Sequence, residues 1–164
     1  MKLKQVVLCG FLAAILYLQQ VVLSGLPNIE LCSLLIMLFT LVFPKETPWT
    51  IAVFVLLEGI TWGFGTWWVG YCYIWPILAG ITWLCRKNTD LLIWMVIAGA
   101  YGLVFGALYA IPYFFVGGWT AAFSYWIAGI PFDLAHCAGN AVSVLLLWKP
   151  FFAVLTRLKK QFNI

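Results

Sequence analysis

Charge is what this chain has least of. Only 9% of its 164 residues are charged, against 65% hydrophobic, with five acids and a single histidine. A soluble domain carries roughly 25% charged and 45–50% apolar residues. A chain this short has too much surface to hide so much apolar side chain from water. That shortage excludes a water-borne globule and makes lipid the expected solvent. The five cysteines, Cys9, Cys32, Cys72, Cys85 and Cys137, include no Cys-x-x-Cys pair and have no second His beside them. Metal-ligand spacing is therefore lacking, and the thiols read as small buried side chains. No phosphate-cradling G-x-x-x-x-G-K-[ST] loop occurs, so ATP is not bound by that device. No metal or cofactor is expected. The net charge of +4 comes from basic residues scattered at segment ends, which argues against a nucleic-acid partner.

What fills the chain instead is apolar runs, at about 3–24, 30–43, 48–64, 70–85, 90–116 and 132–149. The first follows Lys2 and Lys4 and lacks a convincing small-x-small cleavage site. It is expected to stay as a helix rather than leave as a signal peptide. Gly25-Leu26-Pro27-Asn28 reads as a turn. Phe43 to Pro48 reads as a loop, with Pro48 at the first position of the next helix. Arg86 to Asp90 reads as a loop whose Thr89 or Asp90 caps the fifth helix, and Pro112 is placed to kink that helix's end. Residues 116–129, bounded by glycine, are too short to cross and predict a re-entrant or interfacial segment. Beyond Lys149-Pro150, residues 151–161 predict a surface helix with Arg157, Lys159 and Lys160 toward headgroups.

The expected fold is thus an all-α integral membrane protein of six transmembrane helices in one domain, 1–164. Six spans put both termini on one side, together with all nine basic residues: Lys2, Lys4, Lys45, Arg86, Lys87, Lys149, Arg157, Lys159 and Lys160. The positive-inside rule makes that side cytoplasmic.

Two small-residue patterns predict close helix packing. Ala98, Gly102, Gly106 and Ala110 recur every four residues. Gly10, Ala13 and Ala14 smooth one part of the first helix, for packing within the bundle or for docking a partner membrane protein.

Two acids, Glu58 and Asp133, sit within apolar sequence, where a carboxylate is costly and marks a functional candidate. Pro131 is expected to open the last helix, with Asp133 near its N-terminus. Asp133, His136 and Asn140 are spaced i, i+3, i+7 and share a face. Trp62, Trp67, Trp68 and Tyr71 follow Glu58, and Trp119, Tyr125 and Trp126 precede Asp133. Aromatic belts at membrane interfaces account for many such rings. With the acids and His136 they also match a small-molecule pocket, apolar walls with a few placed polar groups. Stacking surfaces and carboxylates suit a flat ligand bearing N–H donors or a cation. A membrane enzyme is the rival, with Asp133 and His136 as an acid–base pair and Ser124 or Cys137 as nucleophile. A scaffold would need only the small-residue faces.

The stretches Gly118-Trp119-Thr120-Ala121-Ala122 and Ala128 to Asn140, set in six spans without a soluble domain, resemble the substrate-binding S component of an energy-coupling factor (ECF) transporter. The resemblance implies capture of a vitamin-like micronutrient outside a prokaryotic cell. Thiamine-, pyridoxine-, flavin-, pterin- and deazapurine-like molecules are all open. It also implies partnership with a transmembrane T component and two cytoplasmic ATPases, and toppling of the S component in the membrane. In that family alanines four apart on helix 1 contact the T component; here Gly10 and Ala14 hold that spacing.

Overall fold

A computed structural model describes residues 2–26 and 29–162. Of the turn expected at Gly25–Asn28, Pro27 and Asn28 lie outside the described residues. The fold is all-α. Helix α1 is Leu3–Leu23, α2 Cys32–Val42, α3 Thr47–Trp62 and α4 Thr66–Leu84. The remaining helical stretch, Leu91–Phe162, is interrupted by non-helical backbone at Gly117 and Gly118. We number its two arms α5 (91–116) and α6 (119–162).

The arms run antiparallel. Tyr113 stacks on Tyr125 at 4.1 Å and Trp94 on Trp148 at 5.2 Å. Gly106 N donates to Asp133 Oδ1 at 2.9 Å, and Asn140 Nδ2 to the Ala98 carbonyl at 3.1 Å. Gly118 has φ +68°, the left-handed region where only a residue without Cβ is at ease. The small-residue stripe on α5 faces α6 as its spacing predicts. A Cβ on Gly102 would lie 2.7 Å from the Cys137 backbone nitrogen, and one on Gly106 would meet the Asp133 carboxylate.

Three expectations change here. Residues 116–129 are not a separate re-entrant piece; from Trp119 onward they are the first turns of α6. Pro131 and Asp133 accordingly sit deep inside a helix rather than at its opening, and the chain stays helical through Pro131. Residues 151–161 likewise continue α6 through Pro150 instead of forming their own surface helix. Proline removes one backbone hydrogen bond, whereas unwinding in an apolar setting would orphan several. Pro112 is also helical, and the break comes five residues later at the glycines. Other local signals hold: Pro48 lies in the first turn of α3, and Asp90 Oδ1 caps α5 through Leu92 N at 2.9 Å.

Helix α2 is only 11 residues long, and all but Leu41 are buried. A helix apolar all round belongs in the middle, and α1, α3, α4 and the α5–α6 pair pack around it. The outside is apolar too: exposed large hydrophobic side chains outnumber the buried apolar ones, while Glu58, Asp133, His136 and Asn140 are buried. So apolar an exterior is compatible with membrane association. Leu3–Leu23 and Leu91–Gln161 are long and apolar enough to cross a membrane, and α2 and α3 are shorter apolar helices.

The bundle has two chemically distinct ends. Gln5 Nε2 donates to Glu46 Oε1 at 2.8 Å, and Lys159 Nζ to the Val42 carbonyl at 2.7 Å. Pro44, Arg86 and Lys149 line one hollow. These contacts gather the start of α1, the α2–α3 and α4–α5 loops and the tail of α6 at one end. The other end holds the tops of α1, α3 and α4 and the start of α2.

Candidate functional site

The short central helix leaves room above its N-terminus, and that room is the candidate site. Three adjoining hollows fill it, all sharing Tyr71. The first, about 280 Å³, is lined by Gln20, Ser24, Glu58, Trp62, Trp67 and Tyr71. The second, about 290 Å³, shares Gln20 and Ser24 and adds Glu30, Trp75, Phe105 and His136. The third, about 420 Å³, adds Tyr109, Tyr125, Phe132 and Asp133. Each hollow contains one carboxylate.

Tyr71 is the hub. It meets Trp67 and Trp75 edge-on at 5.4 and 5.3 Å and Tyr109 at 5.9 Å. Its hydroxyl accepts from Gln20 Nε2 at 3.1 Å. Such pairs add about 0.5–1.5 kcal/mol each beyond area burial, so the wall is stiff.

Glu30, which the sequence reading passed over, is the main addition. It lies in the connection ahead of α2 and pairs with His136 Nε2 at 3.0 Å. Its carboxylate also accepts from Ser33 Oγ at 2.9 Å and from the Cys32 backbone N–H, an anion at a helix N-terminus. Burial pushes the Glu30 carboxyl up, but the His136 contact and the Cys32 and Ser33 hydrogen bonds outweigh it and hold it below the usual carboxylate range. His136 is fixed further by Phe105, edge-on at 4.5 Å.

Four polar groups of this region keep a buried atom without a partner: Glu58 Oε1, Asp133 Oδ2, His136 Nδ1 and Trp75 Nε1. Glu58 is 3% exposed, Asp133 4% and His136 2%. Orphaned groups at such depth are rare and expensive, about 1–3 kcal/mol or more apiece. The four residues that carry them line the hollows.

Not every expected residue joins them. Glu58, Trp62, Trp67, Tyr71, Tyr125, Asp133 and His136 line the hollows. Asn140 donates to Ser33 Oγ at 3.2 Å and to the Ala98 carbonyl, tying α6 to α2 and α5. Trp68 donates to the Val55 carbonyl at 2.9 Å and meets Phe64 edge-on. Trp119, 79% exposed, and Trp126 line an outward apolar groove on the α5–α6 hairpin with Phe114, Phe115 and Phe123. On α1, Ala13 is buried in the core, Ala14 is half-buried, and Gly10 is exposed with nothing near its Cβ position.

Among the described residues no three His, Cys, Asp or Glu side chains gather as a metal site requires. Asp133 and His136 lie on one face of α6, but His136 Nε2 is given to Glu30. Compared with known protein families, curated proteins and solved structures, the chain matches none of them.

Proposed function

We propose that this chain is the S component of an ECF-type transporter, capturing a flat, nitrogen-bearing micronutrient outside a prokaryotic cell for uptake powered by a T component and two ATPases. The observation that carries the reading is the trio of hollows around Tyr71, each lined by one acidic residue, two of which keep a buried carboxylate oxygen without a partner. Six alternating helical arms with an apolar exterior support six membrane crossings. The short α2 fits because its ends abut protein rather than lipid. The gathering of all nine basic residues at the other end supports cytoplasmic termini and an outward-facing site. Glu58 and Asp133 accept hydrogen bonds from the ligand, the aromatic rings stack on it, and His136, held by Glu30, orients it. The edge of α1 that carries exposed Gly10 and half-buried Ala14 is the face offered to the T component.

The test is a nutrient panel titrated against purified protein and read by quenching of its ten Trp residues. A saturable quench, with the ligand recovered chemically unchanged, supports capture. Recovery of a converted product supports instead the enzyme built on Asp133 and His136. No binding by any compound leaves only a scaffold.

A further inference from the structure

We infer that the compound held at this site is a flat cation carrying N–H donors at two ends, one for Glu58 and one for Asp133, and that the site turns away carboxylates and phosphates. The inference rests on the capture reading and narrows it.

It starts from a count of charges around the hollows. Glu58, Glu30 and Asp133 line the first, second and third in turn. Against them stands only His136, already bound to Glu30. Every Lys and Arg belongs to a segment at the other end of the bundle. The remaining donors are all neutral: the indole N–H groups of Trp62, Trp67 and Trp75, the hydroxyls of Tyr71, Tyr109 and Tyr125, the Ser24 hydroxyl given to the Val21 carbonyl, and the Gln20 amide given to Tyr71. An anion would meet no free positive partner, and a carboxyl group in each hollow, where like charges repel. A cation supplies the missing counter-charge, and charge-assisted hydrogen bonds to carboxylates are the stronger kind.

The two orphaned oxygens set the shape. Glu58 Oε1 and Asp133 Oδ2 belong to different hollows that adjoin at Tyr71. A ligand that satisfies both must reach past that ring. The rings of Trp67, Tyr71 and Tyr109 line the way, and aromatic faces favour a cation. Trp75 Nε1, in the middle hollow, remains free to donate to a ring nitrogen or carbonyl oxygen at the ligand's centre.

Three flat probes of matched size and one longer, two-ended probe test this on the wild-type protein, by Trp quenching: benzamidinium, benzamide and benzoate, and 1,4-benzenedicarboxamidine. Benzamidinium is expected to bind at least tenfold more tightly than benzoate, with benzamide between them, and the bis-amidine more tightly than benzamidinium. In Glu58→Gln or Asp133→Asn protein that elutes and melts like wild type, the advantage of the bis-amidine over benzamidinium should shrink at least threefold. Benzoate binding as tightly as benzamidinium overturns the inference. So does an acidic nutrient from the panel that binds saturably while the amidines do not, and there the capture reading stands. If neither the probes nor any nutrient bind, the capture reading itself falls.

Discussion

At the basic end of the bundle charged and amide groups find partners, with Thr50 Oγ1 a buried exception: Lys159 Nζ reaches the Val42 carbonyl, Arg86 the Trp83 carbonyl at 2.8 Å, and Gln5 the Glu46 carboxylate. At the opposite end Glu58, Asp133, His136 and Trp75 each hold a buried atom that bonds to nothing. The first arrangement is what stability alone favours. The second carries a standing penalty that a bound molecule can relieve. Cations crowd the first end and carboxylates line the second, so the two ends differ in charge as well as in satisfaction of their polar groups.

The largest effect should come from the buried Glu30–His136 contact at the carboxylate end. Removing one member of a buried pair costs about 3–5 kcal/mol, so His136→Ala should lower thermal stability in detergent far more than Arg86→Gln at the basic end. The same pair predicts a pH effect. Glu30 titrates below an ordinary value of 4.5. Its stabilisation is therefore complete above that pH and is lost as pH falls through the lower folded value. Melting temperatures should drop on acidification below about pH 4.5 in wild type, and less in Glu30→Gln. Equal acid profiles would remove Glu30 from the account.

Next in size is the α5–α6 contact. Gly102→Leu drives a side chain into the Cys137 backbone and should cost about 1–3 kcal/mol. Gly10→Leu, with open space around it, should leave the melting temperature unchanged. Ligand affinity comes third: Glu58→Gln and Asp133→Asn should each weaken binding at least tenfold, about 1.4 kcal/mol. The smallest contrast is aromatic. Trp67→Ala should weaken binding several-fold, by about 0.5–1.5 kcal/mol, and Trp119→Ala on the outward groove by less than twofold; equal losses would move the site to the hairpin tip.

Much of this was legible in the residues. The apolar runs and their Gly, Pro and charge breaks locate α1 to α5 closely, because those signals act locally. The stripe from Ala98 to Ala110 announces a close neighbour, and α6 is that neighbour. The register of α6 was less legible. Gly129 and Pro131 read as a boundary, yet packing against α5 keeps the backbone helical through both. Glu30 was overlooked because it stands beside a turn, where an acid ordinarily meets water. Its position two residues before Cys32, at the start of an apolar helix, was the available signal. Trp119 and Trp126 share a sequence neighbourhood with Asp133, but composition does not say which side of a helix a ring faces.

The most direct test sets one double variant against another. Ligand affinity is measured by Trp quenching for Glu58→Gln/Asp133→Asn and for Arg86→Gln/Lys149→Gln, each shown to be folded. The account predicts that saturable binding disappears in the first and survives unchanged in the second. Full affinity in the acid-stripped variant, or loss confined to the variant at the basic end, would contradict it.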